Sequence, residues 1–230
     1  MSSTLHDFLI KIMPNVYKLF DGILLSIGET FIMVLISGVF GITIGIFLGI
    51  ILVVTAKNGL YEHELLNSFL GKIVNIVRSI PFVILVALLV SFTRFVMGTS
   101  IGIRGALVPM IIGIIPFVSR ITEQAFWEVD GGVIEAARAM GLSRSYIVSH
   151  VLLPEALPGL VRSVITSFIS LIGLSAMAGA VGGGGIGSFA IRFGYQRFMD
   201  DITLVMVIIL LLIVNVVQGL GNRWAKKFSH

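Results

Sequence analysis

The chain has 230 residues, of which 57% are hydrophobic and only 12% charged, with 16 Lys and Arg against 12 Asp and Glu for a net charge of +4. A soluble domain carries roughly 25% charged residues, and a mean hydropathy of +1.06 excludes that class in favour of a chain that belongs in lipid. With no cysteine there is no disulfide framework, thiolate metal site or cysteine nucleophile to consider, and no basic run is long enough to follow a nucleic-acid backbone.

In the opening stretch, LHDFLIKIMPNVYKLFDGIL, Leu5, Phe8, Leu9, Ile12, Val16, Leu19, Phe20 and Ile23 recur at three- and four-residue intervals. Asp7, Lys11, Asn15, Lys18 and Asp21 fall opposite. The pattern predicts an amphipathic helix broken near Pro14 that lies along the interface or the bundle edge. The apolar run that follows is longer than the roughly 7–15 residues of a signal-peptide core, so the segment does not read as a cleavable signal. Residues 1–25 are set apart as an N-terminal interfacial segment, 26–221 as one membrane domain and 222–230 as a basic cytoplasmic tail.

A spanning helix needs about 20 predominantly apolar residues. Five segments qualify, near 28–54, 80–97, 105–126, 161–181 and 202–220, which predicts an all-α integral membrane protein with five transmembrane helices. In the first, Gly41, Gly45 and Gly49 repeat every fourth residue and bare one face for close helix packing. In the third, Pro109 and Pro116 are tolerable only where neighbouring helices or a water-lined path satisfy the freed carbonyls. Ten of the basic residues, those within 57–78, 120–162 and 223–227, fall on one side. The positive-inside rule then places the N-terminus outside and the C-terminus in the cytoplasm.

Between the third and fourth spans, residues 127–160 exceed the roughly 12–15 residues beyond which a connection without structure is unusual. GVIEAARAM reads as a short helix closed by Gly141, which can adopt the left-handed conformation past a helix end. Ser143 is placed to cap a second short helix, SYIVSHVLL, that Pro154 terminates. The expected product is a compact cytoplasmic knuckle that moves two spans together when a partner moves it. The alternative is a loop folded back on the membrane surface.

EAARAMG followed by VLLP resembles the EAA loop of ABC importer permeases, in which Glu-Ala-Ala, three residues, Gly, nine residues and Ile-x-Leu-Pro recur. Glu135, Ala136, Ala137, Gly141, Leu153 and Pro154 agree, and Val151 stands where isoleucine is usual. The resemblance implies the type I importer permease fold with cytoplasmic coupling helices, the loop docking in a cleft of a cytoplasmic ATPase. The chain holds no GxxxxGK[ST] motif, so it is expected not to be an enzyme and to bind no cofactor itself; ATP and Mg are expected on a separate subunit. The resemblance further implies a homodimer with two ATPase subunits.

SAMAGAVGGGGIGSFAIRFGYQRF, residues 175–198, carries four successive glycines, Gly182–Gly185, which stop or bend the fourth span or form a flexible turn. Phe189, Phe193, Tyr195 and Phe198 follow, aromatic residues suited to headgroups or to a partner. The block is similar to that of methionine-uptake permeases, with a SAM tripeptide, a glycine run and a GYQRF-like close. By that resemblance Ser175, Ala176 and Met177 line or close the pathway, the four aromatic residues face an extracytoplasmic substrate-binding protein or lipoprotein, and methionine is the transported ligand in a bacterial inner membrane. A methionine can seal an irregular gap, though in an apolar span it can equally be packing.

The leading reading is the permease subunit of an ATP-driven methionine importer. Other amino acids or small organic anions, and a gradient-driven carrier, are alternatives. A carrier needs ionisable groups deep in the membrane, whereas Glu29, Arg94, Arg120 and Glu123 are expected to snorkel at span ends. His6, His63, His150 and His230 are scattered and lack HExxH spacing, which gives an enzyme or metal site no footing.

Overall fold

In a computed structural model, which describes residues 13–228, the described residues are helical with short connections. Eleven α-helices follow in order: α1 Pro14–Lys18, α2 Phe20–Thr55, α3 Glu64–Ser79, α4 Phe82–Leu88, α5 Val90–Met97, α6 Gly102–Trp127, α7 Gly131–Ala139, α8 Arg144–Ile147, α9 Leu153–Ala180, α10 Gly185–Phe189 and α11 Asp200–Phe228. Two π-helical segments, Val148–Leu152 and Ala190–Tyr195, lead into α9 and out of α10.

Among the described residues four stretches are long and apolar enough to cross a membrane: α2, α6, the continuous run Arg144–Tyr195 and Asp200–Ala225 of α11. A fifth crossing exists only if α3 and α4, bent by 102° at their junction, are taken together. The second span expected over 80–97 is occupied by α4 and α5, interrupted at Leu89. Pro81 removes an amide and disfavours helical geometry at Ile80, which takes an extended conformation, and the left-handed Gly98 ends α5. The amphipathic α3 precedes the bend inside what the sequence placed in a loop.

Other boundaries also shift. Residues 5–12 of the expected first helix lie outside the described residues, so the break near Pro14 is not tested on that side; a further interruption falls at Leu19, between α1 and α2. Pro14 is the first residue of α1, after a non-helical Met13, a position where a proline loses no helical hydrogen bond. The limits at 25/26 and 221/222 fall inside α2 and α11. With 36 residues, α2 extends about 54 Å at 1.5 Å per residue.

The chain forms two compact units from portions of these helices. One comprises the chain up to Ser37, Phe82–Met110 and Ser170–Val216; the other comprises Gly38–Pro81, Ile111–Ile169 and the chain from Val217 onward. The first is centred on Ile23, Ile186, Phe189, Ile202 and Met206. There Asp201 ties α1 to α11, accepting from the Asn15 backbone N–H at 2.9 Å and its side-chain amide at 3.0 Å.

In the second unit the glycine face of α2 meets α6. A β-carbon at Gly45 would lie 2.5 Å from Val118 Cβ, and one at Gly49 would lie 2.7 Å from Thr122 Cβ. Removing side chains from one helix lets the backbones approach to van der Waals distance. The charged residues here do not stand alone at span ends. Arg120 pairs with Glu123 at 2.6 Å and donates to Asn75 Oδ1 at 2.8 Å and to the Gly71 carbonyl at 3.3 Å, binding α6 to α3. Three acceptors on one guanidinium hold the charge by hydrogen bonding, which replaces the snorkelling expected for this pair.

Candidate functional site

The knuckle is built by local rules at each joint. Asp130 precedes α7 in extended geometry, and its Oδ1 accepts from Gly132 N–H at 2.9 Å, satisfying one of the free amides of the first turn. At the other end Gly141 has φ +76°. Its N–H bonds to the Arg138 carbonyl at 3.0 Å and the Leu142 N–H to the Ala137 carbonyl at 3.3 Å, the paired closure that follows a left-handed residue past a helix end. Leu142 then packs with Ala137 in the core. Ser143 Oγ accepts from Tyr146 N–H at 3.4 Å and opens α8.

Pro154 does not terminate the second short helix. The chain passes from α8 through a π-helical turn into α9, with the Leu153 N–H reaching back five residues to the Val148 carbonyl. The proline is the second residue of α9, a position where its missing amide breaks no bond within that helix. On the π segment, His150 stacks on Tyr146 with ring centroids 4.3 Å apart, and its Nδ1 lies 2.7 Å from Ser149 Oγ.

The EAA residues divide by exposure. Ala137 is buried with Phe126, Ile147, Leu152 and Ala156, and Val151 packs at the edge of that cluster. Glu135, Ala136, Gly141, Leu153 and Pro154 remain exposed. One alanine thus anchors the knuckle while the other and the glutamate form a low, open ridge. A β-carbon at Gly141 would meet nothing within 4 Å, so the requirement for glycine there comes from backbone conformation.

Both legs of the knuckle are clamped. At the crossing of α6 and α9 a β-carbon on Gly159 would lie 2.8 Å from Ala125 Cβ, and Ser163 Oγ donates to the Ile121 carbonyl at 3.1 Å. Arg162 pairs with Glu128 at 2.9 Å. Arg138 reaches from α7 to the Asn58 carbonyl at 3.3 Å in the turn after α2, beside a hollow of about 210 Å³ lined by Val54, Asn58, Leu60, Trp127 and Ile134. Sequence reasoning missed Asp130, Arg138, Gly159 and Ser163 as parts of this assembly. Asp-Gly-Gly ahead of an apolar run is a helix-start signal for the first; the others become visible only once α6, α9 and the α2 turn are adjacent.

In the other unit, Ser175 is buried and donates to the Ile172 carbonyl at 2.7 Å, Ala176 is half-buried, and Met177 is 50% exposed. The glycine run breaks the helix after Ala180, with positive φ at Gly182, Gly184 and Gly185. Glu29 Oε2 accepts from Gly185 N–H at 2.6 Å and Thr30 Oγ1 from Ile186 N–H at 2.9 Å, so two side chains of α2 cap α10. Glu29 is a cap within the fold, a second departure from the snorkelling expectation.

The aromatic residues separate in the same way. Phe189 is buried, packs with Phe193 at 4.5 Å between centroids and covers Gly22, so it belongs to the core. Arg192 and Arg197 each lie 4.7 Å from the Phe193 ring centre. Tyr195 and Phe198 are 73% and 87% exposed.

Long apolar helices broken at glycine elbows, with an exposed knuckle clamped to two of them, define a multi-pass membrane component of a transport system. The chain belongs to the family of binding-protein-dependent transport system inner membrane components, whose family pattern matches residues 41–229. It is 44% identical over 210 residues to the probable D-methionine transport system permease protein MetI of Vibrio cholerae serotype O1, covering 91% of this chain and 93% of that one. Against the methionine import system permease protein MetP of Bacillus subtilis strain 168, identity is 45% over 172 residues, covering 75% and 78%. An inward-facing structure of the MetNI methionine ABC transporter in its native crystal form matches with a TM-score of 0.88 at 40% identity, over 90% of this chain and 96% of that one. The fold is that of type I ABC importer permeases.

Proposed function

We propose that this chain is the permease subunit of an ATP-driven importer of methionine, L- and D-, acting as a homodimer with two cytoplasmic ATPase subunits and an extracytoplasmic binding protein. The observation that carries the reading is the knuckle: an open Glu135–Ala136 ridge on a buried Ala137 anchor, jointed at a left-handed Gly141 and clamped to two long helices. The names of the relatives above support methionine as the cargo.

Small side chains let the ridge sit deep in a groove of the ATPase. Closure of the ATPases around ATP and Mg, held by those partners, moves the ridge. The close contacts at Gly159–Ala125 and Ser163–Ile121 pass the displacement to α6 and α9 together, because packed interiors transmit strain with little compression. Met177, exposed beside the buried Ser175 and the half-buried Ala176, closes the pathway, and its flexible thioether can withdraw without leaving a polar group unpaired. Tyr195 and Phe198 are the aromatic pair that the binding protein touches, with Phe193 partly screened between two arginines. This assignment places the N-terminus outside and the C-terminus in the cytoplasm, consistent with the basic residues of the knuckle and tail.

The test is uptake of labelled L-methionine and D-methionine by cells lacking their own methionine importers, supplied with this chain and its neighbouring ATPase and binding protein. Wild type is expected to import methionine, while Gly141→Asp reaches the membrane at normal abundance without importing it. Import by the variant at the wild-type rate removes the elbow from the coupling path. Absence of methionine import by wild type, with the ATPase still co-purifying, overturns the cargo and keeps the permease.

A further inference from the structure

The buried core of the knuckle is not made by the knuckle alone. Leu60, in the turn that joins α2 to α3, is buried with Ala137, Ile147 and Leu152, and Ile50 and Val53 of α2 pack against the same cluster. Ala137 offers a single methyl, so a leucine from a distant segment completes the close packing around the α7 anchor. The knuckle therefore has a third leg besides α6 and α9.

That leg is stiff. Within the turn the Gly59 N–H donates to the Ala56 carbonyl at 2.8 Å, the Tyr61 N–H to the Val54 carbonyl at 2.8 Å and the His63 N–H to the Thr55 carbonyl at 3.0 Å. Asn58 stands at φ +63°, and its N–H donates to Glu62 Oε2 at 3.1 Å. From α3 the Asn67 amide reaches back to the Leu52 carbonyl at 2.6 Å and to Thr55 Oγ1 at 3.2 Å, satisfying an acceptor left free at the end of α2. A connection so paired has few ways to bend without losing hydrogen bonds.

The join between this turn and α7 is narrow. The hollow of about 210 Å³ separates part of the turn from the knuckle, with Val54 and Asn58 on one side and Ile134 and Arg138 on the other. A void has no partner atoms to push against. What passes between α7 and the turn therefore goes through the Leu60 packing and through the bond, assisted by charge, from Arg138 to the Asn58 carbonyl at 3.3 Å.

We propose that the knuckle and the turn between α2 and α3 form one moving body, with Leu60 and Arg138 as the positioning residues that make α2 travel with α7. Slippage between α2 and α6 is blocked, because sliding would drive Val118 and Thr122 into the bared backbone at Gly45 and Gly49. Docking of the ATPase at the Glu135–Ala136 ridge, proposed above, supplies the stroke on which this rests. Displacement then reaches three long helices, α2, α6 and α9, from a single joint.

The chain has no cysteine, so spin labels go only where cysteine is introduced. The protein is placed in nanodiscs with its neighbouring ATPase. Tyr61→Cys on the turn and Ser145→Cys on α8, both exposed, give a distance within one chain when labelled chain is diluted with unlabelled. Ser145→Cys alone, undiluted, gives the distance between copies. Trapping ATP with vanadate is expected to shift the second distance and leave the first unchanged. Arg138→Ala and Leu60→Ala should each broaden the first distance on trapping and lower methionine import per ATP hydrolysed several-fold, with the ATPase still co-purifying. Arg138→Lys, whose ammonium still reaches the carbonyl, should restore most of that ratio. Because Arg138→Ala alters only an exposed side chain, it decides the question even where Leu60→Ala unfolds. A Tyr61–Ser145 distance that changes on trapping in wild type, or import per ATP unaffected by Arg138→Ala, overturns the single body and leaves docking at the ridge intact. A distance between copies that ignores ATP overturns both.

Discussion

The two glycine elbows of this protein are alike in backbone and opposite in surroundings. Gly141 and Gly185 have φ of +76° and +72°; Gly141 precedes α8 and Gly185 begins α10, and each of those short helices passes into a π-helical segment. A β-carbon at Gly141 would have nothing within 4 Å, whereas one at Gly185 would lie 2.6 Å from Thr30 Oγ1 and 2.7 Å from Met33 Cε. The first elbow is shaped by its own chain and left open. The second is held shut from outside by α2, whose Glu29 and Thr30 accept its amides. A glycine of positive φ thus sits at an open joint in one place and at a fixed corner in the other.

This difference makes substitutions at the two elbows separable. Gly185→Val is expected to be the most damaging, adding a collision and an unfavourable φ for about 3 kcal/mol or more. Thermal unfolding of the purified chain should show the loss; an unchanged midpoint would falsify the closed corner. Arg120→Met leaves Glu123 without its ion-pair partner and frees Asn75, at a cost of about 2–3 kcal/mol. Replacing Arg120 and Glu123 together by methionine should recover much of that loss in the same melt, since no charge is then orphaned.

At the open elbow, Gly141→Ala carries only the conformational term of about 1 kcal/mol, and Gly141→Asn less because asparagine tolerates the left-handed region. Equal destabilisation at positions 141 and 185 would erase the contrast. The smallest effect is expected at Phe198, an exposed aromatic residue with φ +56°. Phe198→Gly should relieve its backbone strain, raising stability by up to about 1 kcal/mol, while reducing capture of the binding protein in a pull-down. Loss of stability instead would show that the ring packs within the fold.

The knuckle was legible in the sequence because its determinants are local. A glycine past an alanine-rich helix, a serine ahead of the next and a fixed spacing over twenty residues act within one or two turns, and the structure places Gly141 and Ser143 in those positions. The expected end at Pro154 was misplaced because a proline stops a regular helix, while the π turn before it lets the helix continue. Likewise α3 carries Leu65, Leu66, Phe69, Leu70, Ile73, Val74, Ile76 and Val77 at helical spacing, but Lys72 and Arg78 drew attention to loop charge. Phe189 and Phe198 look alike in sequence; packing against Gly22, Ile23, Ile186, Ile202 and Met206 makes the first of them core.

By itself the sequence determined that this is a helical membrane protein, where its longest apolar helices run and which connection between them folds into a jointed knuckle. Hydrophobic length and helix-end chemistry depend on neighbours along the chain, so no fold is needed to read them. Tertiary structure alone decided that Glu29 caps the glycine corner from 156 residues away, that Arg120 binds α6 to α3 through Asn75 and Gly71, and that an apolar groove opens between α9 and α11. Each of these depends on which helix faces which, and a side chain's partner across space leaves no mark in the spacing of its own segment.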